Sequence, residues 1–372
     1  MRILQVNKLY YPHIGGIERV IQDISEGLND RHDINVLVCQ PKGKTADEVI
    51  NGVKVRRSGS FGTFCSCPVS VSFLSHFRKM AKNSDVVHVH LPFPLGDLAC
   101  LLSGYKGKVV ISWHSDVVKQ KKMMMFYKPF MKAFLKRADC IFVATEGHIS
   151  GSAYLKPYSE KCRIVPYGLD IPSYEKALAY PFLTQKLNDP ENKKILFTGR
   201  LVYYKGIDVL IRAMKNTSGC ELFIAGDGVL REELEREVSE GKIADKVHFL
   251  GVLSVEDLKA AMRDCDVFVL PSVENSEAFG IVQMEAMVYG KPVINTSLPT
   301  GVPYVSLDKI SGITVAPKNE DQLSEAVNTL VHDDELRTKY GKNAYDLVRE
   351  KYDINKILDN IENIYRELTE GK

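Results

Sequence analysis

Lys194-Ile195-Leu196-Phe197-Thr198 runs straight into Gly199-Arg200, and Lys205-Gly206 then opens a segment of helical period. An apolar strand, a glycine-bearing loop and a helix form one repeating unit. The same order recurs at 221–225, 247–250, 267–270 and 292–295, with helix-length segments near 206–216, 229–241, 255–263 and 280–289. The first half follows it too. Short Val- and Ile-rich runs lie at 2–7, 34–39, 53–58, 86–91, 108–113, 140–145 and 162–166, and the helical segments at 16–29, 71–83, 94–104, 119–137 and 147–155. Such alternation predicts an α/β protein with parallel sheets covered on both faces.

At 372 residues the chain is long for one core, so two domains are expected. The stretch 167–192, with Pro172, Pro181 and Pro190 and little periodicity, reads as the connection. The expected boundaries are a first domain over 1–170, a linker over 171–192, a second domain over 193–350 and a C-terminal helix within 351–372 that packs back on the first domain. The last forty residues read as charged amphipathic helices. The architecture expected is two doubly wound domains facing each other across a cleft, with ligand-binding loops at the carboxyl ends of the strands.

Composition narrows the functional classes. Hydrophobic content of 45% and charged content of 26% fit a soluble globular protein. No apolar run has the length of a membrane span, and no signal peptide precedes the first strand. Eight cysteines in so long a chain read as reduced thiols, not a disulfide framework. Only Cys65-Ser66-Cys67 looks paired, and no second Cys or His cluster accompanies it to make a zinc site. The net charge of +2 hides an asymmetry: residues 1–166 carry 24 Lys and Arg against 13 Asp and Glu, the remainder 25 against 34. A basic half and an acidic half suggest separate partners.

The chemistry-bearing residues gather at the loops. In Glu274-Asn275-Ser276-Glu277-Ala278-Phe279-Gly280-Ile281-Val282-Gln283-Met284-Glu285-Ala286-Met287, a polar loop becomes an apolar helix between two carboxylates. Glu277 falls just before the helix and Glu285 inside it. A carboxylate flanked by Met284, Ala286 and Met287 is partly buried and needs a partner, such as ribose hydroxyls. The alternative is that Glu285 faces solvent or pairs with a nearby Lys. Arg200 and Lys205, at a strand end and beside a helix start, suit a diphosphate without a metal; a solvated surface pair is the alternative. Gly15-Gly16 opens the first helix, where free N–H groups favour an anion, although a plain turn explains the pair equally well. His114 ends an apolar strand, placed for chemistry or hydroxyl recognition or else as a structural residue. His88 and His90 share one face of another strand and read as packing or supporting groups, with no third ligand spaced to complete a metal site.

The segment 117–137 interleaves Lys119, Lys121, Lys122, Lys128, Lys132, Lys136 and Arg137 with Met123, Met124, Met125, Phe126 and Phe130. This composition suits an interfacial helix on anionic lipid; an ordinary core helix with a basic outer face is the alternative. Nucleic acid fits poorly, because no recognition motif accompanies the charge.

Taken together, these motifs resemble the retaining glycosyltransferases of the GT-B fold, family four, whose two domains are Rossmann-like. The resemblance runs over nearly the whole chain: Gly15-Gly16-Ile17-Glu18, Val165-Pro166-Tyr167-Gly168-Leu169-Asp170, Gly199-Arg200 with Lys205-Gly206, Ala225-Gly226-Asp227-Gly228, Phe249-Leu250-Gly251, and Glu277 with Glu285. The ordered set is far more specific than any one of them. It implies that Gly15 and Gly16, with Arg200 and Lys205, bind the donor diphosphate, and that Glu285 holds the ribose. Glu277 and the backbone at Phe279-Gly280 would grip the donor sugar, with His114 beside it as the second catalytic group. Gly251-Val252 would line the base pocket. Asp116, Lys119, Lys121 and Lys122 would lie on the acceptor or membrane side. No cofactor and no metal are implied.

One departure is informative. The family commonly has Pro-Asn-Gly where this chain has Pro166-Tyr167-Gly168. That form, with Tyr10 to Gly16 and Trp113-His114-Ser115-Asp116, is similar to bacterial surface-polysaccharide mannosyltransferases that use GDP-mannose. The expectation is therefore a mannosyl transfer to a lipid-linked glycan at the cytoplasmic face of the cell membrane, with the protein peripheral. A UDP-sugar donor, a nucleotide-sugar epimerase of the same fold and a non-catalytic scaffold partner are the competing readings.

Overall fold

The structure, a computed structural model, describes residues 1–13, 15–64, 67–116 and 121–371, and for 121–126 the backbone alone. Lys119 therefore lies outside the described residues, as do the side chains of Lys121 and Lys122.

The chain divides into two compact units, Met1–Gly168 with Ile354–Lys372, and Leu169–Asp353. In the first unit the strands are β1 (Arg2–Val6), β2 (Asp33–Cys39), β3 (Ala46–Ile50), β4 (Val53–Ser58), β5 (Thr63–Phe64), β6 (Cys67–Pro68), β7 (Val86–Leu91), β8 (Lys108–Trp113), β9 (Cys140–Val143) and β10 (Cys162–Ile164). Eight of them form one sheet in the order β10-β9-β8-β7-β1-β2-β4-β3, parallel throughout except where β3 returns antiparallel on β4. β5 and β6 make a separate small hairpin.

Strand alternation gives this sheet two unlike faces. One face is apolar: Leu4, Val6, Val87, Val89, Val109, Ile111, Ile141 and Val143 join Phe73, Phe77, Phe93 and Phe134 in a single core. Full burial of such side chains is worth about 1.5–3 kcal/mol each. The other face carries a polar stripe, Gln5, His88, His90, Ser112 and His114, all buried. Register explains the stripe, because Gln5 lies opposite His88 and His90 opposite Ser112 on neighbouring strands. The helix Ile354–Glu370 supplies Tyr365 to it, and packs beside the first helix, Gly16–Leu28.

The second unit holds β11 (Lys193–Thr198), β12 (Cys220–Ala225), β13 (Val247–Gly251), β14 (Val267–Val269), β15 (Val293–Thr296) and β16 (Gly312–Val315). Their order is β13-β12-β11-β14-β15-β16, and every pair is parallel. Ile195, Phe197, Leu222, Ile224, Val267 and Ile294 form its core with Leu210, Met214, Val327 and Leu330 from the helices Ile207–Met214 and Glu320–His332.

The expected linker needs correction. Residues 171–192 belong to the second unit and are bound to it. The Asp264 carboxylate accepts from the backbone of Leu183 and Thr184. Buried Glu221 accepts from the backbone N–H groups of Asn188 and Asp189, from Asn192 and from His248. Burial pushes the Glu221 pKa up, but these donors outweigh it and hold the carboxyl below its usual range. Prolines removed the helical period without making the segment a free connector. The helix expected over 147–155 also stops early, at Gly151, before a short 3-10 turn at Lys156–Lys161 that contains Pro157. No helix among the described residues is long and apolar enough to cross a membrane.

Candidate active site

In the second unit, the turn after β11 is held against the turns after its neighbours. Gly199 N–H donates to the Ala225 carbonyl, and Gly226 N–H donates to the Gly251 carbonyl. Gly226 has φ +137°, and a Cβ there would strike the Gly199 carbonyl oxygen. Only glycine permits so close an approach of two backbones. After Arg200 the chain makes a short 3-10 turn, Tyr203–Lys205, and Gly206 (φ +67°) starts the helix Ile207–Met214.

Lys205 then folds inward. Its Nζ lies 2.5 Å from Glu277 Oε2, with both side chains about nine-tenths buried, and the Ser272 hydroxyl donates to the same oxygen at 3.1 Å. Two of the expected site residues are thus each other's partner. Such a pair is weak evidence for stability, since taking two charges out of water costs several kcal/mol per ion, whereas removing one partner alone costs about 3–5 kcal/mol. Arg200 is exposed, and its Nη2 donates to Tyr204 Oη at 3.1 Å; the Tyr204 ring lies 5.8 Å from Lys205 Nζ.

The Glu277 loop is pinned from behind. Gln283 Nε2 donates to the Phe279 and Val302 carbonyls, while Asn295 Nδ2 donates to Gln283 Oε1. The Phe279 side chain is buried, so this position offers a ligand its backbone and not its ring. Glu285, in the helix Val282–Met287, is half-buried and accepts from the Tyr174 hydroxyl at 2.8 Å. Val252 is largely exposed next to Gly251.

In the first unit, Gly15 caps the helix Gly16–Leu28 in extended backbone, and Glu18 in the first turn brings its carboxylate over Gly15. A Cβ at Gly16 would meet nothing within 4 Å, so no neighbour in the chain demands glycine there. His114 is buried, and both ring nitrogens are engaged: Nε2 lies 3.0 Å from His90 Nδ1 and Nδ1 lies 2.8 Å from Tyr167 Oη. The sugar contact expected of His114 would therefore need Tyr167 or His90 to give up a ring nitrogen. Asp116 is likewise tied down, accepting from Trp113 Nε1 and Ser152 Oγ, and burial raises its carboxyl above the ordinary range. A cavity of about 20 Å³ beside His114 and Tyr167 has room for one water and none for a sugar. No group of three His, Cys, Asp or Glu side chains among the described residues is placed to hold a metal.

Known proteins resemble this chain along its whole length. Residues 14–171 match the family described as Glycosyltransferase Family 4, and residues 181–347 match Glycosyl transferases group 1. The O-antigen chain mannosyltransferase C of Escherichia coli is 32% identical, with all of both chains covered. The D-rhamnosyltransferase WbpZ of Pseudomonas aeruginosa is 33% identical over 92% of this chain and 90% of its own. Among solved structures, HepE of Anabaena in complex with UDP superposes with a TM-score of 0.79 over 99% of this chain and 100% of its own, at 19% identity.

The chain is a glycosyltransferase of the group 1 family. Its fold is GT-B.

Sequence reasoning for this glycosyltransferase reached Lys205, Glu277 and Glu285 but missed the groups that hold them. Ser272 follows the end of β14, a position that could have been searched. Tyr174 lies 111 residues before Glu285, and no spacing announces it. The roles of Gln5 and Tyr167 were equally hidden, although His88 and His90 were placed on one face.

The stripe has a measurable signature. Burial drives the His88 pKa down to about 3 and those of His90 and His114 well below their usual value, so all three stay neutral in the folded chain. Folding stability from them is complete above pH 6.5. It drains as pH falls from there toward about 3 for His88, where the unfolded chain binds protons that the folded chain refuses. Each contributes up to ~1.4 kcal/mol per pH unit. Asp97, raised to about 8 by burial, opposes them with one proton. Urea unfolding should show stability falling between pH 7 and 5, with a shallower fall in His88→Gln. An equal slope in that variant would contradict the assignment.

Proposed function

We propose that this glycosyltransferase moves a mannosyl residue from GDP-mannose to a lipid-linked glycan in surface-polysaccharide synthesis, with retention at the anomeric carbon and without a metal. The observation that carries this reading is the buried Lys205–Glu277 pair at the carboxyl ends of β11 and β14. It stores a cation for a diphosphate and an anion for a sugar in one place. Arriving diphosphate oxygens take up the Lys205 ammonium, Arg200 adds a planar fork, and Glu277 turns to the sugar hydroxyls. The bond from C1 to the diphosphate oxygen breaks while a bond from C1 to the acceptor oxygen forms. The acceptor proton leaves with the phosphate, and the two cations stabilise the departing charge. Glu285 and Tyr174 offer the ribose a carboxylate and a hydroxyl.

The sugar assignment draws on the relatives. One is named for mannose and the other for D-rhamnose, the 6-deoxy form of the same sugar configuration. UDP in HepE belongs to a protein only 19% identical and speaks for the fold.

Thermal unfolding with GDP, UDP and ADP tests the donor. Ligand at a hundred times its Kd adds about 2.7 kcal/mol. GDP should stabilise the wild type and lose its effect in Glu285→Ala. Stabilisation by UDP alone would replace the donor. Slow GDP-mannose hydrolysis should vanish in Lys205→Ala and Glu277→Ala, and hydrolysis surviving in both would overturn the residue roles.

We also propose that the protein sits peripherally on the inner face of the membrane. On the helix Lys121–Arg137, Lys128, Lys132 and Lys136 are exposed beside an exposed Phe130, which suits an anionic interface. Vesicles rich in anionic lipid should recruit the protein, and salt should release it. Equal recruitment to neutral vesicles at high salt would remove the electrostatic basis.

A further inference from the structure

The polar stripe forms an unbroken hydrogen-bonded chain. His114 Nε2 meets His90 Nδ1 at 3.0 Å, His90 Nε2 meets Gln5 Oε1 at 2.9 Å, and Gln5 Nε2 donates to Tyr365 Oη at 3.2 Å. From Tyr365 it continues to His88 Nδ1 at 2.6 Å, and His88 Nε2 reaches Ser112 Oγ at 2.8 Å. At the other end, Tyr167 Oη lies 2.8 Å from His114 Nδ1. Every ring in the chain is neutral and buried, so each carries one proton and one bare nitrogen.

The amide of Gln5 fixes which nitrogen is which. Its carbonyl oxygen only accepts, so His90 Nε2 must carry the proton. His90 Nδ1 is then bare and must receive the proton of His114 Nε2. That leaves His114 Nδ1 bare, and Tyr167 donates to it. On the far side, Tyr365 accepts from Gln5 and donates to His88 Nδ1, so His88 Nε2–H donates to Ser112. All three rings hold the Nε2–H form, which histidine side chains intrinsically prefer. Turning the Gln5 amide over would force all three into the less favoured Nδ1–H form, so three small preferences add to one order.

We infer that Gln5 and His90 are positioning residues that hold His114 as a neutral ring with an acceptor nitrogen at Nδ1, so that the substrate group it recognises is a hydroxyl that donates. The inference rests on the proposed hexosyl transfer and on the sugar contact that the family resemblance implies for His114. Tyr167 turns aside, a hydroxyl of the hexose takes the place that its hydroxyl fills in the free protein, and the ring is presented without rotation or protonation. This places the origin of hydroxyl recognition on β1, two strands away from the strand that carries His114. It also explains a buried glutamine among the apolar residues Ile3, Leu4 and Val6 of β1.

The experiment is nitrogen NMR of the histidine rings, together with transfer kinetics, on wild type, Gln5→Leu, Gln5→Glu and Tyr365→Phe. Gln5→Glu keeps an oxygen acceptor for His90, whereas Gln5→Leu removes it. Tyr365→Phe opens a comparable buried defect on the far side of Gln5 and leaves the acceptor in place. Wild type, Gln5→Glu and Tyr365→Phe should show a protonated Nε2 and a bare Nδ1 on His114. Gln5→Leu should show both tautomers and lose about tenfold in kcat/KM per folded molecule, the scale of one hydrogen bond. Nδ1 protonated in the wild type would overturn the proton order. The expected ring states with Gln5→Leu as active as wild type, or Tyr365→Phe equally impaired, would overturn the positioning role and leave the transferase reading standing. A wild type that transfers no hexose would instead sink that reading, and the positioning role with it. Should Gln5→Leu not fold, His90→Asn replaces it with the same expected loss.

Discussion

The Lys205 ammonium and the Glu277 carboxylate, 2.5 Å apart and nearly cut off from water, set the terms for the second unit's site. A buried ion pair earns little stability, because desolvation cancels most of the attraction. What it secures is placement. Lys205 is reachable only because Gly206 turns the chain with a positive φ immediately after it, and a Cβ there would strike the Pro271 carbonyl. Glu277 is held by a loop that Gln283 and Asn295 brace from beneath. Ser272 gives the shared oxygen a second donor. Remove either charge and the other is stranded, so the loops after β11 and β14 are coupled through one contact.

The first unit handles buried polarity in the opposite way. Its stripe carries no charge: burial holds His88, His90 and His114 neutral, and every nitrogen in the run finds a partner. A fully satisfied neutral network keeps its geometry without a counter-ion. The second unit holds opposite charges in contact, and the first a preset hydrogen-bond pattern. Both arise from the same topology, since parallel strands deliver their carboxyl-end loops and same-face side chains side by side.

The two-sheet architecture was legible because strands buried on both faces read as continuous apolar runs, as at Ile195–Phe197 and Val109–Ile111. The elements missed lacked that signal. β3 reads Ala-Asp-Glu-Val-Ile at an exposed edge, and β16 is only four residues long. The helix Glu320–His332 did carry one: Asn319 caps it by accepting from Gln322 N–H, and Leu323, Val327 and Leu330 follow at helical spacing. In the candidate site, residue types singled out Lys205 and Glu277, which the fold brings together, while partners distant in sequence stayed hidden. Tyr174 with Glu285, and Tyr365 with Gln5, are brought together by packing alone. Burial of 171–192 through Glu221 and Asp264 was hidden for the same reason, since the carboxylates that bind it lie on other elements.

If Glu277 holds Lys205 in reserve for the donor, it must also compete with the diphosphate for that ammonium. Calorimetric titration of the stabilising nucleoside diphosphate into wild type and Glu277→Gln measures the competition directly. Tighter binding to Glu277→Gln, by about tenfold, together with loss of sugar transfer, is the result this account predicts. Weaker binding to the variant would mean that Glu277 helps to build the diphosphate site and does not hold its cation in reserve.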